Sequence, residues 1–290
     1  MSPGIRDLLA KELVIMEAGI YDCISARAAA DAGFHSLFLT GYGVSASLLG
    51  KADASFVNLT DFELVCRNVT RTVDLPVIVD VDTGFGNAIN AAHTVRVIEH
   101  AGGAGIHLED QVAPKRCIGS VTGVNVVPID EAVGKIKAAV DARRDPDFLI
   151  EVTCMEPEPA RALERAHAYA EAGADVIGCR VFHSLEGLIE TQRVTGKPVF
   201  VVYTDPPGWV SIQQLQEHHV SAVAIFAVET VLTAYRAMCD ALTYLREGKE
   251  MSPSAPRVKL LEFSRFIGFP EITALEHRYL PQEQAHTFRG

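Results

Sequence analysis

At 290 residues the chain can bury one large core or two small ones, and 48% hydrophobic with 22% charged residues is the balance of a globular protein in water. The net charge of −11 argues against nucleic acid and anionic membrane as natural partners, because phosphate surfaces call for a basic face. A small anionic substrate stays allowed, since a bound divalent cation inverts the local sign.

The N-terminus, "MSPGIRDLLAKEL", lacks the apolar core and small-residue cleavage site of a signal peptide. No apolar run reaches the ~18 residues of a membrane span. The six cysteines (Cys23, Cys66, Cys117, Cys154, Cys179 and Cys239) form no CxxC pair, which predicts reduced thiols in a cytoplasmic protein. From there short apolar runs bounded by turn signals follow one another, at 14–20, 36–41, 76–82, 104–110, 148–154, 175–181, 198–204 and 222–228. Stretches of helical period lie between them, among them 24–33, 88–102, 129–144, 159–173 and 184–196. Several end in Ala-Gly or Thr-Gly and re-enter a strand within a few residues.

Eight such units predict an α/β fold of the (β/α)8 TIM-type barrel over residues 1–250. An open doubly wound sheet is disfavoured by the missing GxGxxG after the first strand. Residues 251–290 stand outside the repeat as a C-terminal helical extension. A Pro/Ser linker at 251–257 leads into two helices broken at Gly268-Phe269-Pro270, and an apolar appendage of this kind points to oligomerisation.

In a parallel barrel the chemistry sits at the C-terminal ends of the strands. Asp80 and Asp82 end the third strand with side chains on one face. Glu109 and Asp110 end the fourth, and Asp53, after the second, can reach the same mouth. Such carboxylates repel unless neutralised. A hard cation is the economical answer, Mg2+ by preference with Mn2+ as the alternative, and Asp110 in a supporting role. A lone strand-end Asp serves equally well as a helix N-cap, so the pairing carries the reading.

Cys117, beside Lys115 and Arg116, is either a thiol activated for proton or thiolate chemistry or an idle residue of a surface loop. Tyr21, and Thr40-Gly41-Tyr42-Gly43, offer hydroxyls and backbone N–H groups at the mouth, the latter as a carboxylate nest. His107 reads as a packed core histidine rather than a base.

These residues, in this order, resemble the isocitrate lyase/phosphoenolpyruvate mutase superfamily, above all its short-chain methylisocitrate lyases, dimethylmalate lyases and carboxyphosphonoenolpyruvate mutases. The resemblance runs from "YDCISARAAADAGF" through "TGYGVSASLLG", "PVIVDVDTGFGNA" and "HLEDQVAPKRC" to "IGFPEITALEHRYL". It implies a barrel whose last helix is swapped between subunits of a homotetramer, a dimer of swapped dimers. It also implies Mg2+ held by Asp80 and Asp82, with Asp53 and Glu109 helping through water. Thr40-Gly41-Tyr42 would hold the carboxylate of a small anionic keto or hydroxy acid, and Cys117, with Lys115 and Arg116 beside it on a gating loop, would handle the proton of the departing fragment.

The departures fall on the substrate side. The family's Lys-Arg-Cys-Gly-His continues here as Ile118-Gly119-Ser120. The Ala-Arg-Thr-Asp stretch that ends the fifth strand of relatives is Val152-Thr153-Cys154-Met155. The sixth-strand glutamate is Arg180, and the seventh-strand asparagine falls at Val202, beside Tyr203. Arg180 either takes over the lost arginine's role or pairs with Glu151 or another acid; Thr153 and Tyr203 join it as candidate substrate contacts.

The expected activity is a Mg2+-dependent carbon–carbon lyase acting on a malate- or citrate-type 2-hydroxy acid by retro-aldol cleavage through a metal-stabilised enolate. The alternatives are a phosphonomutase or a 2-keto-acid hydrolase or decarboxylase, and then a diverged, non-catalytic binding barrel.

Overall fold

The computed structural model describes residues 4–117, 123–204, 210–249 and 257–289. The linker expected at 251–257 (except Arg257) and the departure at Ile118-Gly119-Ser120 lie outside the described residues.

The apolar runs become β1 (Val14–Ile20), β2 (Ser36–Leu39), β3 (Val77–Asp80), β4 (Gly105–Glu109), β5 (Leu149–Cys154), β6 (Val176–Cys179), β7 (Val199–Val202) and β8 (Ala222–Phe226). Each pairs in parallel with its sequence neighbours, and β8 pairs with β1, closing a barrel. A closed parallel sheet is covered on both faces, which is why Val77, Ile78 and Val79 are all fully buried. The helices are α1 (Ile5–Lys11), α2 (Cys23–Asp31), α3 (Gly41–Val44), α4 (Leu59–Thr70), α5 (Ala88–His100), α6 (Ile129–Ala142), α7 (Pro159–Glu171), α8 (Leu185–Thr195), α9 (Ile212–Glu217), α10 (Glu229–Arg246), α11 (Leu260–Phe266) and α12 (Phe269–Tyr279). Among the described residues no helix is long and apolar enough to cross a membrane.

Most strands end a few residues short of the apolar runs, and two of these ends bear on the site. Thr40 and Gly41 leave the ladder, because Thr40 becomes the N-terminal cap of α3. Asp82 turns out of β3 into the left-handed region at φ 53°. Both changes carry polar groups off the sheet and onto the rim.

Two compact units are found, Met1–Leu232 and Thr233–Gly290, so the division falls inside α10. In the second, α11 and α12 meet at Gly268, whose φ of 95° makes the break expected there.

The barrel interior is not purely apolar. Ile15, Phe38, Ile78, Leu149, Phe200 and Val223 cluster there, with Ile5 and Leu8 of α1. Glu17, His107 and Glu151 are buried with them. His107 packs against the rings of Phe38 and Phe200, with centroids 5.3 and 4.7 Å away. Gly178 must lack a side chain, since a Cβ there would come within 2.3 Å of the Phe200 ring. Ser36 donates to Glu17 Oε1 at 2.8 Å, while Glu17 Oε2 and Glu151 Oε1 have no hydrogen-bond partner among the described residues.

Burial, then the nearby Asp175 charge, push the Glu151 carboxyl up to about 8. Glu17 is raised well above the usual carboxylate range by burial and by Glu151. The folded chain therefore keeps a proton on Glu151 that the unfolded chain releases near its ordinary 4.5. Its contribution to stability is complete below that pH and is lost as pH climbs toward about 8. Urea unfolding should accordingly show Glu151→Gln gaining on the parent between pH 5 and pH 8, by at most about 1.4 kcal/mol per pH unit. Parallel stability curves for the two proteins would show that Glu151 is ionised in the fold.

Candidate active site

The C-terminal rim carries the polar groups because each strand's inward positions recur every second residue. Above the layer of Glu17, Phe38, His107, Glu151 and Phe200 comes a second, with Thr40, Asp80, Glu109, Thr153, Arg180 and Val202. These six, with Asp53, Lys115 and Cys117 from the loops, line one cavity.

Its centre is Lys115. The ammonium Nζ lies 2.9 Å from Asp82 Oδ1, 3.3 Å from both Asp53 Oδ2 and Asp80 Oδ2, and 3.6 Å from Glu109 Oε1. The side chain is 2% exposed, so it makes these contacts out of water. The loop after β4 delivers it. Lys115 N–H donates to Ser55 Oγ at 2.9 Å, and Gln111 accepts from Arg116 N–H at 3.1 Å while donating to Glu109 Oε2 at 2.6 Å.

The acids are positioned by backbone. Asp80 accepts from Asp82 N–H at 3.0 Å and from Gly41 N–H at 3.1 Å. Gly41 can come that close only as glycine, because a Cβ would stand 2.7 Å from Asp80 Oδ2.

One ammonium does not neutralise four carboxylates. Burial works against ionisation of Asp80, but Lys115 and the two N–H groups prevail and hold it below the usual range. The others are left with too little compensation. Burial, with repulsion from Asp80 and Asp53, pushes Asp82 up to about 6; burial, with Asp80 and Asp82, pushes Glu109 up to about 7. Asp53 is raised by burial and Asp80, and Lys115 is held well above the lysine range by all four acids against its own burial. The cluster therefore competes for protons near neutrality, as a site short of positive charge does.

Hard oxygen donors in this number suit Mg2+ or Mn2+. Among the described residues no three acidic, His or Cys side chains are drawn close enough to grip a metal as they stand. The ammonium occupies the space between them.

The remaining sequence candidates divide. Thr40, Tyr42, Cys117, Thr153 and Arg180 line the cavity. The Arg180 guanidinium makes no ion pair with any acid among the described residues, and Glu151 faces His107 instead. Burial draws the Arg180 pKa down against the nearby Glu109 and Cys117.

Four candidates sit elsewhere. Gly41 N–H is engaged by Asp80 and is not free as an anion donor. Arg116 wraps its own loop, with Nη1 donating to the carbonyls of Lys115, Pro114 and Ala54. Tyr21 packs against the rim, where the adjoining Asp22 caps α2 through Ser25 N–H. Tyr203 is turned outward by strand alternation, stacked on Phe226 and donating to Val210 C=O at 2.6 Å; Thr204 takes the place at the cavity. Asp110 reaches away from the cluster, accepting from Arg165, Tyr169 and Met155 N–H.

Sequence reading passed over two groups. Gln111, only two residues from Glu109, holds both the acid and the loop. His107 does more than pack: Nδ1 is 3.2 Å from Glu151 Oε2, and Nε2 is 2.6 Å from Thr153 Oγ1. The period-two spacing of His107 and Glu109 was the available signal.

Residues 5–246 match the family described as phosphoenolpyruvate phosphomutase. The chain belongs to this family. Within it, the chain is 36% identical over 288 residues to 2,3-dimethylmalate lyase of Eubacterium barkeri, covering 95% of this chain and 96% of the relative. A phosphoenolpyruvate phosphomutase structure from Streptomyces platensis subsp. rosaceus superposes with a TM-score of 0.87 at 30% identity, covering 96% of this chain and 98% of that one. A phosphonopyruvate hydrolase in complex with oxalate and Mg2+ gives 0.85 at 27% identity, with the same coverages. A phosphomutase and a phosphonopyruvate hydrolase thus share this barrel with the chain.

Charge balance at the rim makes Lys115→Met informative. In EDTA the variant should lose roughly 3–5 kcal/mol of stability, because four clustered acids, Asp80 and Asp82 buried, lose the one ammonium that meets them among the described residues. Mg2+ should restore more thermal stability to it than to the parent, and should bind it more tightly by calorimetry. A variant as stable as the parent in EDTA and indifferent to Mg2+ would show that Lys115 and a metal do not share this position.

Proposed function

We propose that this chain is a divalent-metal-dependent lyase that breaks a carbon–carbon bond of a malate- or citrate-type 2-hydroxy acid, with Asp53, Asp80, Asp82 and Glu109 as the residues that would hold Mg2+. The observation that carries it is the meeting of four carboxylates around a single ammonium, three of them lining a cavity that they share with a guanidinium that has no acid partner among the described residues. An anionic acid with two separated oxygen-rich ends suits those two poles.

When bound, the cation supplies positive charge to the oxygens of the 2-hydroxy or 2-oxo acid. The chain's own side chains do the rest. Arg180 takes the distant carboxylate in a fork of N–H donors and fixes the bond to be broken. The hydroxyl proton passes to a carboxylate of the cluster such as Glu109, the carbon–oxygen bond becomes a carbonyl, and the electron pair of the broken carbon–carbon bond goes to the departing carbon. Cys117, on the cavity wall, delivers a proton to that carbon from Sγ. Apolar walls such as Val202 and Met155 keep water from competing.

The lyase reading is supported by the likeness to 2,3-dimethylmalate lyase along nearly the whole chain. Its rival is a phosphonomutase or a 2-oxo-acid hydrolase, supported by the equally close structural likeness to such enzymes.

Incubation with Mg2+ and a panel of malate- and citrate-type acids, oxaloacetate and phosphonopyruvate separates the readings. We expect a 2-oxo acid from a 2-hydroxy acid, and none in EDTA; turnover of oxaloacetate or phosphonopyruvate alone would favour the rival. Arg180→Ala should raise KM roughly 100-fold, the worth of a charged hydrogen-bonded pair, and lower kcat far less. An unchanged KM would remove Arg180 from substrate binding.

The same reading includes a homotetramer. In the second unit, Tyr235, Met238, Leu242 and Leu245 of α10 form an apolar stripe 57–65% exposed, a face suited to a second copy of the chain. Sedimentation should find a tetramer that Met238→Glu with Leu242→Glu reduces to smaller species; a monomeric parent would contradict it.

A further inference from the structure

We propose that Thr153 is a specificity-determining hydrogen-bond donor of the cavity, its hydroxyl proton aimed at a carboxylate or carbonyl oxygen of the ligand by a buried relay of Glu151 and His107. It rests on the reading of the cavity as an oxo-acid site, and it concerns positions 151 and 153 of β5, two residues apart on the inward face.

The relay has one consistent polarity. Glu151 is fully buried, and its Oε1 accepts no hydrogen bond from the described residues. A carboxylate ion with an orphan oxygen in that setting is far costlier than a neutral acid, and burial with the Asp175 charge raises the group to about 8. As an acid, Glu151 has one proton to donate, and its Oε2 lies 3.2 Å from His107 Nδ1. That nitrogen then accepts, so the single N–H of a neutral imidazole is on Nε2. Nε2 stands 2.6 Å from Thr153 Oγ1, which therefore accepts from it.

The threonine's own hydrogen must go elsewhere. No other side-chain or backbone partner of Oγ1 is found among the described residues, and Thr153 is on the cavity wall. The free direction is toward the ligand. The relay is rigid: His107 packs against Phe38 and Phe200, and Glu151, His107 and Thr153 are all at most 4% exposed.

Position 153 is next to Glu109 in the strand register. A ligand oxygen near the carboxylate cluster is thus within reach of a donor that bears no charge. Where Arg180 attracts any anion, a neutral hydroxyl with its lone pair occupied by Nε2 reads geometry. Reversing the relay would turn Thr153 into an acceptor-facing group and repel the same oxygen.

Neutron diffraction from perdeuterated protein near pH 7 tests the relay without any ligand. We expect deuterons on Glu151 Oε2 and His107 Nε2 and none on Nδ1; a deuteron on Nδ1, with Nε2 bare, would overturn the proposal. Calorimetry with oxalate on the Mg2+-loaded protein tests the donor. Thr153→Val should weaken oxalate about tenfold, and Thr153→Ser should recover most of that loss. Glu151→Leu should weaken it as well, with recovery in Glu151→Gln, whose amide N–H donates to Nδ1 as the acid does. Oxalate bound equally by the parent and by Thr153→Val would overturn the donor role. No oxalate binding by the parent would count against the wider oxo-acid reading, and the neutron map would still decide the relay.

Discussion

The rim of this barrel is organised by one electrostatic constraint: buried carboxylates from three neighbouring segments must share positive charge. Asp53, Asp80, Asp82 and Glu109 converge because the strand ends of a closed parallel barrel converge. Out of water their repulsion is severe, and Lys115 relieves only part of it. The arrangement of the loop after β4 follows from that need. Ser55 and Gln111 hold the loop down so that Lys115 can reach the acids, and this brings Cys117 onto the cavity wall.

The same deficit links structure to chemistry. In the proposed reading, a cluster that draws protons near neutral pH would take up a cation, which would offer charge to the oxygens of a small acid. Arg180 would extend the field to the far side of the cavity. Such opposed poles would favour a ligand with negative charge at two separated ends, which narrows the proposed substrate class more than either pole alone.

Beneath the rim, the barrel carries polar groups where close packing alone would place aliphatic ones. Glu17, Glu151 and His107 displace core volume that Val, Ile or Leu would fill, at a cost in stability that the fold bears. The cost is set locally by protonation rather than by salt bridges, since Glu17 and Glu151 both sit above the ordinary carboxylate range. A polar spine of this kind connects the interior with position 153, where relatives of this family are expected to carry arginine.

Sequence by itself determined the barrel, the order of its strands and the convergence of Asp80, Asp82, Glu109 and Asp53, because each follows from local periodicity and from the rule that strand ends share one rim. It also separated the acidic half of the site from the altered half at Thr153 and Arg180. Only the tertiary structure decided that Lys115 belongs among the acids while Arg116 binds its own loop, and that Tyr203 faces away. Those choices depend on the path of a loop and on which face of a strand a residue occupies after it leaves the ladder. The relay from Glu151 to Thr153 was illegible for a further reason. Its members come from two strands and are 44 and 46 residues apart in pairwise contact, so their hydrogen bonds exist only once β4 and β5 are in register.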